Sequence, residues 1–296
     1  MATYKVGIGG NDANDGSTWA LRKLTLNGAE DIPVAAGDII HVGPGTYREL
    51  LTIDVSGSAG NPITYIGDYS GALTDSVGGV VRITGSNNDI TATRASCITA
   101  TSKDYRTFRG FKLDLSTSRN LYTETGCRNW IIDQLYLGDS GWWGIQFNQP
   151  GLDNVIKNSY FLHGRRGGYG GLYLYNGTGL DDRNFSIENC IFQSRYGVNS
   201  NSVGGVSIKN CSFVNVALYG VYVAAALTAG QTITVNNCIL NGVNTCALSA
   251  QVLGEIIEDY NSFYNNTADR VNVAVGANSN TYPPLFDSRW FFETVK

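Results

Sequence analysis

Asn189-Cys190-Ile191-Phe192 returns as Asn210-Cys211-Ser212-Phe213 and again as Asn237-Cys238-Ile239-Leu240. Looser copies begin at Gly110, Gln134 and Asn158 upstream and at Asn261 downstream. A short phrase recurring at unequal intervals of about two dozen residues marks stacked turns joined by loops of varying length.

Around each phrase the hydrophobic pattern has period two. In Ser186 to Phe192, Ile187, Cys190 and Phe192 face inward, Glu188 and Ile191 face outward, and Asn189 takes a bend. A second strand follows in each turn: Gly144-Ile145-Gln146-Phe147, Gly171-Leu172-Tyr173-Leu174, Gly197-Val198-Asn199-Ser200, Gly220-Val221-Tyr222-Val223 and Ala247-Leu248-Ser249-Ala250. Two strands per turn, each pairing with its copy in the next, make an all-β chain wound as a right-handed parallel β-helix. The bend asparagines then stack their amides from coil to coil. Cys190, Cys211 and Cys238 share one inward column, as buried thiols rather than disulfides.

The expected organisation is an N-terminal capping segment over residues 1–37, the solenoid over 38–281, and an aromatic tail over 282–296. Residues 20–36 supply a helix with Leu21, Leu24 and Ala29 on one side. It covers the otherwise exposed edge of the first coil. Asn11 to Gly16 lacks the acid spacing of a calcium loop and reads as a turn held by Asx side chains.

Three segments in order, GNDANDGSTWA (10–20), AGDIIHVGPGTYRE (36–49) and SGSAGNPITYIGD (56–68), resemble the opening of the pectin-lyase-like superfamily of right-handed β-helix proteins. That superfamily holds polysaccharide lyases, epimerases and hydrolases alongside virion proteins, so the resemblance implies a fold and leaves the reaction open. Met1 to Gly10 carries no apolar signal, and no stretch approaches about 18 apolar residues. The expectation is therefore synthesis in the cytoplasm and no membrane partner. The chain looks more like phage-encoded structural members than like free pectinases. The resemblance then implies a capsid decoration, head fibre or tail component that assembles as a homo-oligomer, with a trimer favoured.

Charge sorts the remaining classes. With 25 acids against 21 bases, a net charge of −4 lacks the basic excess of a nucleic-acid binder. The outward position before each bend reads Arg109, Asp133, Lys157, Glu188, Lys209, Asn236, alternating in sign as a cross-strand ladder does. A lyase would instead need clustered acids holding calcium, and a hydrolase paired carboxylates. No G-x-S-x-G elbow or H-E-x-x-H motif occurs, so no catalytic residue, metal or cofactor is assigned, calcium entering only under the lyase alternative.

Three groups are candidates for contact. The longest interval carries His163, Arg165 and Arg166, suited to an anionic sugar or a partner's carboxylates. Trp142, Tyr173 and Tyr222 point outward by alternation and offer stacking surface for glycan or protein, whereas Trp143, Tyr196 and Tyr219 point inward as a core column. Phe286, Trp290, Phe291 and Phe292 in the tail either cap the last coil or dock a second subunit. The leading expectation is a non-enzymatic structural or adhesive β-helix. The alternative is a carbohydrate-active enzyme or a glycan-binding module.

Overall fold

One turn of the chain shows how the rest is built. Phe185–Glu188 runs straight, Asn189 turns the corner with φ of 52°, Ile191–Gln193 runs along a second side, and Tyr196–Asn201 closes a third. The next strand, Val206–Lys209, lies directly on Phe185–Glu188 with Ile187 opposite Ile208. This is a computed structural model, and it describes residues 1–162, 167–176 and 183–283. Within them the strands form three parallel sheets: sheet A with ten strands, and sheets B and C with nine each. Each turn thus has three strands where two were expected, because the bend asparagine divides the repeated phrase into a strand of sheet A and a strand of sheet B.

The repeat register holds from coil to coil. Tyr136 pairs with Lys112 and Tyr160, Tyr160 with Ile191, and Ile191 with Ser212. Left-handed φ angles of 51° to 55° recur at Gln134, Asn158, Asn189, Asn210 and Asn237. Asparagine tolerates that region best among residues with a side chain. Asn189 Nδ2 donates to Asn158 Oδ1 at 3.3 Å, and Asn237 Nδ2 to Asn210 Oδ1 at 2.7 Å, as the amide ladder requires.

The last copy slips by one residue. Ser262 pairs with Ile239, so Tyr260 takes the bend with φ of 56° while Asn261 falls in the cysteine column, fully buried. There its Oδ1 accepts from the Cys238 amide at 2.8 Å and its Nδ2 donates to Val235 O and Glu258. An asparagine satisfies at that position the backbone groups a thiol meets only weakly.

Cys190, Cys211 and Cys238 are stacked, buried and free. Phe161, Phe192 and Phe213 stack above one another with centroids 4.5 and 4.9 Å apart. The charged column also forms in register, Arg109 to Asp133 to Lys157 to Glu188 to Lys209. Arg109 closes on Asp133 at 2.9 Å, which also accepts from Asn158 at 2.8 Å.

At the N-terminus, Thr3–Val6 pairs with Ile39–Val42 and extends sheet A. The expected helix shrinks to Leu26–Glu30, with Thr25 Oγ1 accepting from the Gly28 amide at 2.8 Å. Leu26 and Ala29 enter the core, but Leu21 and Leu24 are 44% and 39% exposed. The chain before Thr25 is an Asx-held turn, as Asn11 and Asp15 accept from amides two residues on, and it never reaches helical geometry. Glu30 is buried against Arg106 at 2.6 Å and takes the Tyr65 hydroxyl at 2.7 Å, tying this helix to the solenoid interior. Of the tail, Phe286, Trp290, Phe291 and Phe292 lie outside the described residues.

Candidate functional site: a groove on sheet C

Glycine decides which way the aromatics of sheet C point. A Cβ placed on Gly144 would lie 3.3 Å from the core ring of Phe161, one on Gly197 2.5 Å from that of Phe213, and one on Gly220 3.1 Å from Leu240. These glycines therefore face inward. Their successors Ile145, Val198 and Val221 are also buried in the core. Two consecutive inward residues break the pleat, so the residue before each glycine emerges on the outside. Trp143, Tyr196 and Tyr219 consequently leave the core column expected of them and join the surface aromatics.

Trp143 is only 5% exposed because other surface rings cover it. Tyr173 stacks on it at 4.8 Å with an interplanar angle of 13°, and Tyr169 and Tyr196 lie 5.0 and 5.5 Å away. Trp142 stands outward at 53% exposure, as expected. Tyr222, also outward, stacks on Tyr219 at 4.4 Å and extends the row beyond Tyr196.

The rings floor a groove of about 550 Å³. Among the described residues, the charged ones lining it are Arg119 and Arg195. The Arg119 guanidinium lies 5.0 Å from the Trp142 ring centre and 4.7 Å from that of Tyr122, and its Nε donates to Gln146 Oε1 at 2.7 Å. Arg195 lies 5.6 Å over Tyr169 and donates to Gly167 O at 3.3 Å. On the coil of Arg195 sits Asn199, 7% exposed, whose buried Oδ1 has no partner among the described residues. Burial pushes the Tyr173 and Tyr196 phenols above their ordinary value, so both remain protonated donors at neutral pH.

His163, Arg165 and Arg166 lie outside the described residues, immediately before Gly167 in sequence. Of the residues that alternation points outward, Trp142 and Tyr173 line the groove and Tyr222 stands beyond it; Arg119, Arg195, Gln146, Asn199 and Tyr169 also line it and were not among the candidates. The signal for Gln146 and Asn199 was present, since each stands two residues after the glycine near the start of its strand. Nothing in the repeat marks the two arginines, which reach the groove from strand starts and corners.

The described part of the lining offers none of the carboxylates that calcium takes among its several hard oxygen ligands. Among the described residues, no three histidine, cysteine or acidic side chains converge as a metal requires. Cationic forks beside flat rings and amides are the constellation that holds an oxyanion-bearing, hydroxyl-rich ligand.

The sequence matches no family model, and no curated protein matches it in sequence. Solved structures match in fold. A rhamnogalacturonan lyase superposes with a TM-score of 0.64 at 16% identity, covering 95% of this chain and 87% of its own. An alginate lyase from Paenibacillus sp. str. FPU-7 gives 0.64 at 15% identity, covering 94% and 98%. The pectate lyase Pel9A gives 0.57 at 16%, covering 91% and 67%. The likeness is one of fold, the right-handed parallel β-helix. None of the three is by name a phage structural protein.

Proposed function

We propose that this protein is a carbohydrate-recognising β-helix that binds an acidic polysaccharide in the groove on sheet C. The observation that carries the reading is the placement of the Arg119 guanidinium over Trp142 and of Arg195 over Tyr169, in a groove that Trp143, Tyr173 and Tyr196 also line. Sugar rings have apolar C–H faces that pack on aromatic rings, and uronate carboxylates accept paired N–H bonds from a guanidinium. The three structural neighbours are by name lyases of rhamnogalacturonan, alginate and pectate, which supports a carbohydrate ligand over a purely structural role. The described lining holds donors and rings but no carboxylate, so binding is what these residues perform directly.

Titration with oligogalacturonate, oligomannuronate and neutral cello-oligosaccharide, followed by tryptophan fluorescence, tests this. The uronates are expected to bind and to weaken with salt, and Arg119→Ala to lower affinity about tenfold. Absorbance of unsaturated products in the same samples reads any cleavage. Equal affinity for the neutral chain, or no uronate binding, overturns the proposal.

A further inference from the structure

Arg109, Arg128 and Arg270 close on Asp133, Asp104 and Glu258 at 2.9, 2.8 and 2.7 Å. Arg119 and Arg195 meet no carboxylate among the described residues, yet neither is loose. Arg119 packs on the Tyr122 and Trp142 rings and spends only its Nε, on Gln146. Arg195 packs on Tyr169 and spends only its Nη1, on Gly167 O. Nη1 and Nη2 of the first, and Nε and Nη2 of the second, are left without a partner among the described residues. Each pair lies along one edge of its guanidinium, and such an edge grips both oxygens of a carboxylate.

Register fixes how far apart these edges lie. Arg119 begins the strand Arg119–Thr123, on which Trp143–Asn148, Leu172–Tyr175 and Tyr196–Asn201 stack in turn, and Arg195 directly precedes the last of them. With coils ~4.8 Å apart, the two backbones are ~14 Å apart along the axis. The guanidiniums lean together, Arg119 onto Trp142 of the next coil and Arg195 onto Tyr169 of the coil before. That leaves ~10–14 Å between them, more than the carboxylates of adjacent sugars can span.

We infer that the groove is a two-point site, in which Arg119 and Arg195 each take one carboxylate of the same uronate chain. The chain lies along the helix axis and is at least three sugars long. This rests on the groove being a uronate site and adds the length of chain it needs and the second arginine that reads it.

The test titrates oligogalacturonates of one to six sugars. A disaccharide reaches one arginine at a time, so Arg119→Ala or Arg195→Ala should weaken its binding by no more than about twofold, the other arginine remaining. Affinity should rise about tenfold or more between the disaccharide and the tetrasaccharide and then level off, because the second contact is made within one complex. Either substitution should remove that step, and the methyl-esterified tetrasaccharide should lack it. If Arg195→Ala lowers the melting temperature, Arg195→Lys keeps a donor for Gly167 O without the paired edge, and must still weaken the tetrasaccharide more than the disaccharide. A disaccharide that binds as tightly as the tetrasaccharide, a step that survives Arg195→Ala, or an equal step in the methyl ester overturns the two-point site and leaves a uronate groove. Failure of every free uronate to bind overturns both readings.

Discussion

The corner between sheets A and B and the outer face of sheet C are made by the same winding, yet they treat polar groups in opposite ways. At the corner, asparagine bonds to asparagine and Asp133 to Arg109 and Asn158, each coil satisfying its neighbour. On sheet C, Asn199 keeps an unpartnered oxygen under a set of rings and guanidiniums. Backbone stacking accounts fully for the first region. The second is under-satisfied, as a surface is when another molecule completes it.

The two regions should therefore fail differently when altered. The largest loss is expected inside the coil: Phe192→Ala opens the ring stack between Phe161 and Phe213 and should cost ~3–5 kcal/mol in denaturant melts. Asn189→Ala removes the ladder bond and forces alanine to φ of 52°, for a loss of ~1–2 kcal/mol. Asn199→Ala should change stability by less than ~1 kcal/mol, because an orphan acceptor contributes little to the fold, yet should weaken uronate binding. If Asn199→Ala destabilises as much as Asn189→Ala while binding is untouched, the contrast between the regions collapses.

Acid gives a milder perturbation. Hydrogen bonds from Arg48 and Arg82 lower the exposed Asp89 to about 2 from an ordinary 3.8. Burial alone would raise Glu258, but donors from Ser279, Gly276, Asn261 and Arg270 outweigh it and hold its pKa down. A depressed folded pKa contributes stability that is present above the unfolded value and lost as pH falls through the folded one. Melting temperature should thus decline from about pH 4 toward pH 2, with Asp89→Asn flattening part of that slope. The smallest expected signal is thiol labelling. Burial raises Cys97 to about 12 and Cys127 to about 11, so both should react only once the chain unfolds.

How far the sequence could be read depended on whether a residue's direction is set locally. Cys190, Cys211 and Phe192 fall inward because period two persists through their strands, and the structure buries all three. The downstream copy at Asn261 was misaligned because tyrosine, at residue 260, took the bend that asparagine takes elsewhere. Trp143, Tyr196 and Tyr219 were assigned inward by counting twos across Gly144, Gly197 and Gly220. A residue without a Cβ lets the chain pass close to a core ring, and the count then loses its phase. The candidate groove was legible in part for the same reason: Tyr173, and Tyr222 beyond it, sit in regular strand, while Trp142 precedes its strand and Arg119 and Arg195 come from a strand start and a corner.

The amino-acid sequence by itself determined that this chain stacks upon itself, since a periodic apolar pattern and αL-tolerant bends recur wherever the coil must turn. It also fixed the columns of thiols and alternating charges, because in a solenoid a residue's neighbour is its own copy one turn away. Only the tertiary structure decided that two arginines, two tryptophans and an orphan amide meet on one face. Their convergence depends on loop lengths and on where the pleat breaks, and neither is written in the repeat.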